Sequence, residues 1–134
     1  MGDFPKVFFL NVPNGDGIYG NLNELGVVTF TIKAGRGSPI RGTEMFDRMM
    51  EQFGKEVLAI QGVWRIGADG EPSVNIDKVN ELTSMGVPLE EAILQTWTVA
   101  KARKWGFVRV RLVGPRIGSP GAFEKIDVFM EKES

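Results

Sequence analysis

The sequence contains neither cysteine nor histidine among its 134 residues. The absence of cysteine excludes disulfides and thiol nucleophiles, and the absence of histidine excludes imidazole general bases, the usual catalytic triads and His/Cys zinc sites. Any catalysis must therefore use acidic, basic or hydroxyl side chains, including the single tyrosine, Tyr19, or a metal held by carboxylates. No pair of carboxylates has the spacing of metal ligands, and we predict neither a metal site nor a cofactor.

Long apolar runs are also absent. The longest run near the start, residues 7–10, is far too short for a signal sequence or a membrane span, so we predict no membrane partner. The composition is 43% hydrophobic and 25% charged, which is typical of globular proteins. The length fits one domain. We predict a single α+β domain over residues 1–134, in which residues 1–24 are an added strand and linker.

Hydrophobic periodicity predicts the element order ββ-α-β-αα-ββ, an α+β fold with a largely antiparallel sheet packed against helices. Strands are expected at residues 5–12, 26–33, 59–66, 107–113 and 122–131, and helices at residues 43–53, 73–85 and 88–105. Residues 19–25 are predicted to form a loop between the first two strands. The last strand has a blurred apolar pattern, so we place it at a sheet edge.

Each predicted helix has one apolar stripe that we assign to the core. The buried positions expected on the three helices are Met45, Phe46, Met49, Met50 and Phe53, then Ile76, Val79, Leu82 and Met85, then Leu89, Ala92, Ile93, Trp97 and Ala100. In the strand before the second helix, Trp64 and Arg65 point to opposite faces. We expect Trp64 to be buried and Arg65 to be free to reach a ligand.

Polar side chains on the helices are the first candidate site. Asn75 and Lys78 are three residues apart, and so are Thr98 and Lys101 on the next helix, so two adjacent helices can present all four together. Arg41 and Glu44 at the start of the first helix add a cation and a carboxylate. A solvated helix surface explains the same residues, and residue by residue it is the commoner outcome.

The distribution of charge points to a second candidate. Between Glu91 and Glu124 there is no acid, whereas six bases lie there: Lys101, Arg103, Lys104, Arg109, Arg111 and Arg116. The other ten bases and all seventeen acids leave the rest of the chain at −7, although the net charge is only −1. Arg109 and Arg111 alternate with Val108, Val110 and Leu112, so they share one face of a strand. We predict a basic face for phosphates, with an ordinary solvated surface as the competing interpretation.

Several segments resemble a C-terminal module of bacterial polymorphic toxins, the proteins with rearrangement-hotspot or filamentous-haemagglutinin-like repeats. The resemblance covers residues 25–132 and is carried by the runs Arg-Gly-Thr-Glu-Met-Phe at 41–46, Ile-Gln-Gly-Val-Trp at 60–64, Asn-Ile-Asp-Lys-Val-Asn-Glu-Leu at 75–82 and Gln-Thr-Trp-Thr at 95–98. It implies an effector domain directed at nucleic acid or nucleotide, secreted within a larger protein to act in the target-cell cytoplasm, with a cognate immunity protein as partner. It carries over no catalytic residue.

Two functions follow as hypotheses. In the first, the domain is a histidine-free ribonuclease, in which Lys and Arg stabilise a phosphorane-like transition state and a carboxylate or lysine moves the proton. The catalytic candidates are Arg41, Glu44, Lys78 and Lys101, and the binding candidates are Arg65, Asn75, Thr98, Arg109 and Arg111. In the second, the domain is a non-catalytic module that binds a phosphorylated small molecule or a protein partner.

Overall fold

The computed structural model describes residues 4–13, 15–34, 37–66 and 73–132. The sequence also predicts a turn that includes Asn14 and glycine-rich loops that include residues 35–36 and 67–72, and these residues lie outside the described ranges. The described residues form six strands and four α-helices, which confirms the α+β class and the largely antiparallel sheet. The chain divides into two compact units, Met1–Ile60 and Gln61–Ser134.

The first unit is built on three antiparallel strands, β1 (Lys6–Asn11), β2 (Gly17–Leu22) and β3 (Val27–Lys33). A fourth strand, β4 (Ala59–Arg65), starts parallel to β3, with Ala59 opposite Val27. The prediction that residues 19–25 form a loop is wrong for positions 19–22, which belong to β2. Glycine weakens a strand pattern, but at Gly20 the fold requires it, because a Cβ there would collide with the sulfur of Met49.

Helix α1 (Gly42–Phe53) packs its apolar stripe on these strands. All five predicted stripe residues of α1 are buried, and the ring of Phe46 meets Phe30 of β3 edge to face, with centroids 5.4 Å apart. Burying a side chain of this size contributes about 1.5–3 kcal/mol. Gly54 ends the helix with φ of 62°, a conformation that glycine adopts without strain, and a 3₁₀ turn (Gly54–Glu56) leads to β4.

The second unit contains the rest of β4, helices α2 (Val74–Ser84), α3 (Leu89–Leu94) and α4 (Trp97–Lys104), and strands β5 (Arg109–Leu112) and β6 (Lys125–Glu131). The hydrogen-bonded order is β4-β6-β5, with β6 antiparallel to β5. The prediction of β6 as an edge is therefore wrong. Ile126, Val128 and Met130 are fully buried on one side of β6, and the edge strand of this unit is β5, the strand that carries the arginines.

The predicted helix at 88–105 is two helices, α3 and α4, separated at Gln95 and Thr96. The hydroxyl of Thr96 donates to the carbonyl of Ile93 at 2.7 Å, and Thr96 is the N-cap residue of α4. Of the stripe predicted for this segment, Ala92 and Ile93 are buried, Leu89 and Trp97 are only half-buried and Ala100 is exposed, so the prediction of a single buried stripe is wrong at Leu89, Trp97 and Ala100.

Helix α2 begins as its sequence predicts, with the hydroxyl of Ser73 accepting from the backbone N–H of Ile76 at 3.0 Å. Ile76, Val79 and Leu82 are buried, but Met85 is 65% exposed because the helix has ended one residue earlier. In the preceding strand, Trp64 is buried and Arg65 is exposed, as predicted. Among the described residues no helix has both the length and the apolar character to cross a membrane.

Candidate functional site

Two of the predicted catalytic residues, Arg41 and Glu44, lie in the first unit at the start of α1. Arg41 is the exposed residue that precedes the helix. The carboxylate of Glu44 accepts from Arg48 at 2.8 Å, one turn along the same helix, and both side chains are about half exposed. An exposed pair of this kind contributes about 0.3–0.5 kcal/mol to the helix.

The other seven predicted residues lie in the second unit, where the structure joins two of them directly. The amide of Asn75 donates to the hydroxyl of Thr98 at 2.6 Å, and the backbone N–H of Thr98 donates to Oδ1 of Asn75 at 3.2 Å. Asn75 thus satisfies a backbone donor in the first turn of α4, which no side chain of α4 itself does. These two bonds give Asn75 and Thr98 a structural role.

Lys78, Lys101 and Arg65 remain as cations of the same unit. Lys78 on α2 and Lys101 on α4 are both half-buried, and the ammonium of Lys101 lies 5.7 Å from the centre of the Trp97 ring. Arg65 is exposed at the last residue of β4. No described contact joins these three cations to one another or to a carboxylate.

Helix α2 also holds the connection between β5 and β6. The amide of Asn80 donates to the carbonyl of Phe123 at 3.0 Å and accepts from the N–H of Phe123 at 2.7 Å. The hydroxyl of Thr83 accepts from the N–H of Gly121 at 2.8 Å and donates to the carbonyl of Val79. These bonds fix the end of the connection against the helix, so the backbone before β6 is held in place.

The two arginines of β5 lie on one face of the β5–β6 pair. Arg109 is directly opposite Glu131 and Arg111 is opposite Phe129. Residues alternate between faces along a strand, so Arg109, Arg111 and Val113 share a face with Asp127, Phe129 and Glu131. We call these six residues the arginine face. Arg109 and Arg111 are both exposed, whereas the opposite side of β6 is fully buried.

Arg111 is held in place by two residues of β6. Its Nε donates to Oε1 of Glu131 at 2.9 Å, and its guanidinium carbon lies 4.8 Å from the centre of the Phe129 ring. The side chain of Arg111 is nevertheless 58% exposed. The remaining N–H donors of its guanidinium are therefore available to an anion that approaches the sheet.

A cleft opens where the pairing of β5 and β6 is interrupted. The last regular bond runs from the N–H of Val113 to the carbonyl of Asp127 at 3.1 Å, and pairing resumes as a bridge between Ile117 and Lys125. Three residues, Gly114, Pro115 and Arg116, thus stand opposite the single residue Ile126. This bulge, together with Asp127, lines a cleft of about 390 Å³, which we call the Asp127 cleft.

Asp127 is the unusual group in this cleft. Its Oδ1 is buried and has no hydrogen-bond partner, and an unsatisfied buried acceptor costs about 1–3 kcal/mol. Gly114 has φ of 68°, and a Cβ at this position would lie 3.6 Å from Oδ2 of Asp127. The bulge therefore brings backbone that carries no side chain close to the carboxylate, and Arg116 lines the same cleft.

The site combines exposed arginines, an aromatic ring and an unsatisfied carboxylate on one side of a sheet. The arginines can bind phosphate oxygens, Phe129 offers an apolar surface beside them, and Asp127 can accept from a donor on a ligand. The sequence pattern identified Arg109 and Arg111 but not Phe129, Asp127 or Glu131. The signal for these three was the period-two pattern of residues 125–131, in which they occupy the positions between buried apolar residues.

Comparison of the chain with models of protein families, with curated proteins and with solved structures found no match. Within the part of the chain that the structure describes, no group of three acidic side chains is arranged to hold a metal ion. The geometry of the arginine face is therefore the basis for the function proposed below.

Proposed function

We propose that the chain is a small bacterial effector domain that binds RNA through the arginine face and cleaves it as a histidine-free ribonuclease. The observation that carries the binding proposal is the exposure of Arg109 and Arg111 on the same face of β5. Their Cα atoms are separated by the two-residue repeat of a strand, about 7 Å, which is close to the spacing of successive phosphates in a single strand. The sequence resemblance to polymorphic-toxin modules supports the effector role.

Single-stranded RNA fits this surface better than a duplex. The guanidinium of Arg111 lies over the ring of Phe129, with 4.8 Å between its carbon and the ring centre, so its outer plane is the surface on which an unpaired base can stack. The position of β5 at the edge of its sheet leaves the arginines accessible from the side as well as from above. The acids Asp127 and Glu131 reduce the positive charge of the face, which holds two arginines, and Arg116 in the adjacent Asp127 cleft adds a third cation.

We assign the role of proton acceptor in the chemical step to Glu131, because its carboxylate lies beside the arginines. In the proposed reaction Glu131 takes the proton of a ribose 2′-hydroxyl, and the 2′-oxygen attacks the adjacent phosphorus. The bond from phosphorus to the 5′-oxygen breaks, and the departing oxygen takes a proton from water; the hydroxide that remains takes the proton from Glu131 and restores its carboxylate. Arg109 and Arg111 stabilise the charge that develops on the phosphorane oxygens. The products are a 2′,3′-cyclic phosphate and a 5′-hydroxyl.

Incubation of the purified chain with total RNA and with tRNA, with and without Mg²⁺, tests this proposal. We expect fragments that end in 2′,3′-cyclic phosphate, and their disappearance in the Arg109→Gln/Arg111→Gln variant. A variant with Arg48→Gln and Lys55→Gln is the matched control, since it removes two exposed charges from the first unit. Intact RNA under all conditions contradicts the ribonuclease proposal.

The second candidate is a non-catalytic module that binds a phosphorylated small molecule. The Asp127 cleft supports it, because a volume of about 390 Å³ is within the range of small-ligand sites. Mass spectrometry of the freshly purified protein tests this candidate. A co-purified nucleotide, together with RNA that stays intact, favours the module over the ribonuclease.

A further inference from the structure

We infer that strand β1 docks on β1 of a second copy of this chain, so that two copies pair their sheets about a two-fold axis at Phe9. The inference concerns a surface of the first unit and does not depend on RNA binding. The supporting observations are the open edge of β1, its unburied apolar side chains, and the symmetric arrangement of its free backbone groups about Phe9.

Strand β1 is an edge of the sheet, because among the described strands it pairs with β2 alone. One bond shows which of its backbone groups face β2: the N–H of Val12 donates to the carbonyl of Asp16 at 3.0 Å. Antiparallel strands alternate, so every second residue back from Val12 also bonds to β2. The residues between them turn their N–H and C=O groups toward the open edge, and these residues are Val7, Phe9 and Asn11.

The opposite side of β2 agrees with this assignment. The N–H of Asn23 donates to the carbonyl of Val27 at 3.1 Å, so every second residue of β2 back from Asn23 bonds to β3. Gly20 lies between two such residues, so it is left for β1, and it stands opposite Phe8. The backbone of Phe8 therefore bonds to β2, and the backbone of Phe9 faces the open edge.

The open edge is symmetric about Phe9. Val7 and Asn11 each lie two residues from Phe9, and Pro5 and Pro13, each four residues away, have no N–H to donate. If two such edges pair antiparallel with Phe9 opposite Phe9, Val7 of each copy meets Asn11 of the other, and each of these pairs can exchange two bonds. A proline ends the ladder on both sides. This self-complementary spacing selects a second copy as the occupant.

Both faces of β1 carry apolar side chains that the single chain leaves unburied. On the outer face Phe9 is 62% exposed and Val7 is 43% exposed, and the ring of Phe9 meets Tyr19 of β2 edge to face, with centroids 4.9 Å apart. On the side of α1, Phe8 and Leu10 are only half-buried. In the paired edges the Phe9 and Tyr19 rings of both copies form one cluster, and Phe8 of each copy lies opposite Leu10 of the other.

The charge of β1 does not oppose this pairing. Lys6 is the sole charged residue of the strand, and a lysine on an edge strand commonly prevents such contacts. The ammonium of Lys6 is paired with Glu56, and in the proposed register the lysines of the two copies lie at opposite ends of the ladder. A two-fold pairing also uses the β1 edge of both copies, so β1 recruits no third copy.

Amide hydrogen exchange followed by NMR at increasing concentrations of the wild-type chain, without RNA, tests the inference. We expect the amides of Val7, Phe9 and Asn11 to become protected by about tenfold or more as the dimer forms, whereas those of Phe8 and Leu10 are protected at every concentration. Sedimentation equilibrium should show twice the mass of the chain. A chain that is still monomeric at about 1 mM, or one that forms larger assemblies, overturns the inference.

Charged replacements of Phe9 test the position of the two-fold axis. Phe9→Lys and Phe9→Glu should each raise the dimer dissociation constant about tenfold or more, because like charges then lie directly opposite each other, and an equimolar mixture of the two variants should dimerise again. Thr29→Lys is the matched control, since it adds the same charge at an exposed position of β3 on the same face, and it should dimerise like the wild type.

Wild-type dimerisation in both Phe9 variants overturns the inference, and so does a mixture of the two that does not pair. Phe9 is exposed in the single chain, so both variants should fold, and thermal unfolding checks this. The exchange measurement needs no variant, so it tests the inference even where a substitution impairs folding. Because RNA is absent from these measurements, their result is separate from that of the ribonuclease test.

Discussion

Arg111 and Glu131 form an ion pair across the two strands that carry the arginine face, with 2.9 Å between Nε and Oε1. The pair is diagonal, because the residue directly opposite Glu131 is Arg109 and the residue opposite Arg111 is Phe129. Glu131 thus lies near both arginines. Its carboxylate orients the guanidinium of Arg111 and also competes with any phosphate for it.

Replacement of Glu131 by Gln separates two roles of this carboxylate: competition with phosphate for Arg111, and acceptance of the proton during cleavage. We expect RNA affinity to rise about two- to fivefold, because the carboxylate that competes for Arg111 is gone, while cleavage falls at least about a hundredfold because the proton acceptor is removed. The stability should change by no more than about 1 kcal/mol, since the side chain of Arg111 is 58% exposed. Binding assays, cleavage assays and thermal unfolding measure the three quantities.

The exposed Glu81 of α2 provides the control for this experiment. Glu81→Gln makes the same change in charge on a helix of the same unit, so an equal gain in affinity would mean that the effect comes from net charge alone. Cleavage that persists at the wild-type rate in Glu131→Gln would remove Glu131 from the reaction.

Asn80 is predicted to be the main anchor of the connection before β6. Asn80→Ala removes both bonds to Phe123. The backbone N–H and C=O of Phe123 are then unpaired, in a residue that is only 2% exposed. We expect a decrease of about 2–3 kcal/mol in the free energy of unfolding. Glu81→Ala, the next residue on α2 and an exposed one, should stay within about 0.5 kcal/mol. Chemical denaturation measures both, and equal stabilities would show that the anchor contributes nothing.

Asn75 tests whether the polar surface of α2 has a structural or a binding role. Asn75→Ala removes the acceptor for the N–H of Thr98 at the start of α4, and removal of such a cap costs about 1–2 kcal/mol. RNA affinity of the folded protein should be unchanged. Lys78→Gln, one turn away on the same helix, should change the free energy of unfolding by no more than about 0.5 kcal/mol and should leave RNA affinity unchanged. Reduced RNA affinity with unchanged stability in either variant would place binding on α2.

Much of the fold follows from the sequence because local patterns determine it. The stripe of α1, the Ser73 cap of α2 and the alternation of Arg109 and Arg111 are each visible within a few residues and agree with the structure. Strand β2 was missed because Gly20 and Asn21 disfavour a strand locally. Its strand conformation comes from antiparallel pairing with β1 on one side and β3 on the other, and the missing side chain at Gly20 makes room for Met49, which is distant in sequence.

The remaining differences also have long-range causes. The apolar spacing of residues 89–100 continues across the break at Gln95, so it does not reveal the start of α4, which is marked instead by the bond of Thr96 to Ile93 and by the bonds between Asn75 and Thr98. The Asp127 cleft depends on which residues of β5 and β6 are paired and where the pairing is interrupted. Local composition encodes neither the start of α4 nor the pairing of β5 with β6. The sequence therefore identified the arginines but not the carboxylates beside them.

The salt dependence of RNA binding by the Arg109→Gln/Arg111→Gln variant tests the role of the arginine face most directly. If both arginines bind phosphates, the slope of log Kd against log salt concentration should fall by about 1.4, which is about 0.7 for each phosphate of a single strand that is no longer neutralised. The stability should change by about 1 kcal/mol or less, and the control variant of Arg48 and Lys55 should keep the wild-type slope. A folded double variant that keeps the wild-type affinity and slope would contradict RNA binding at this face.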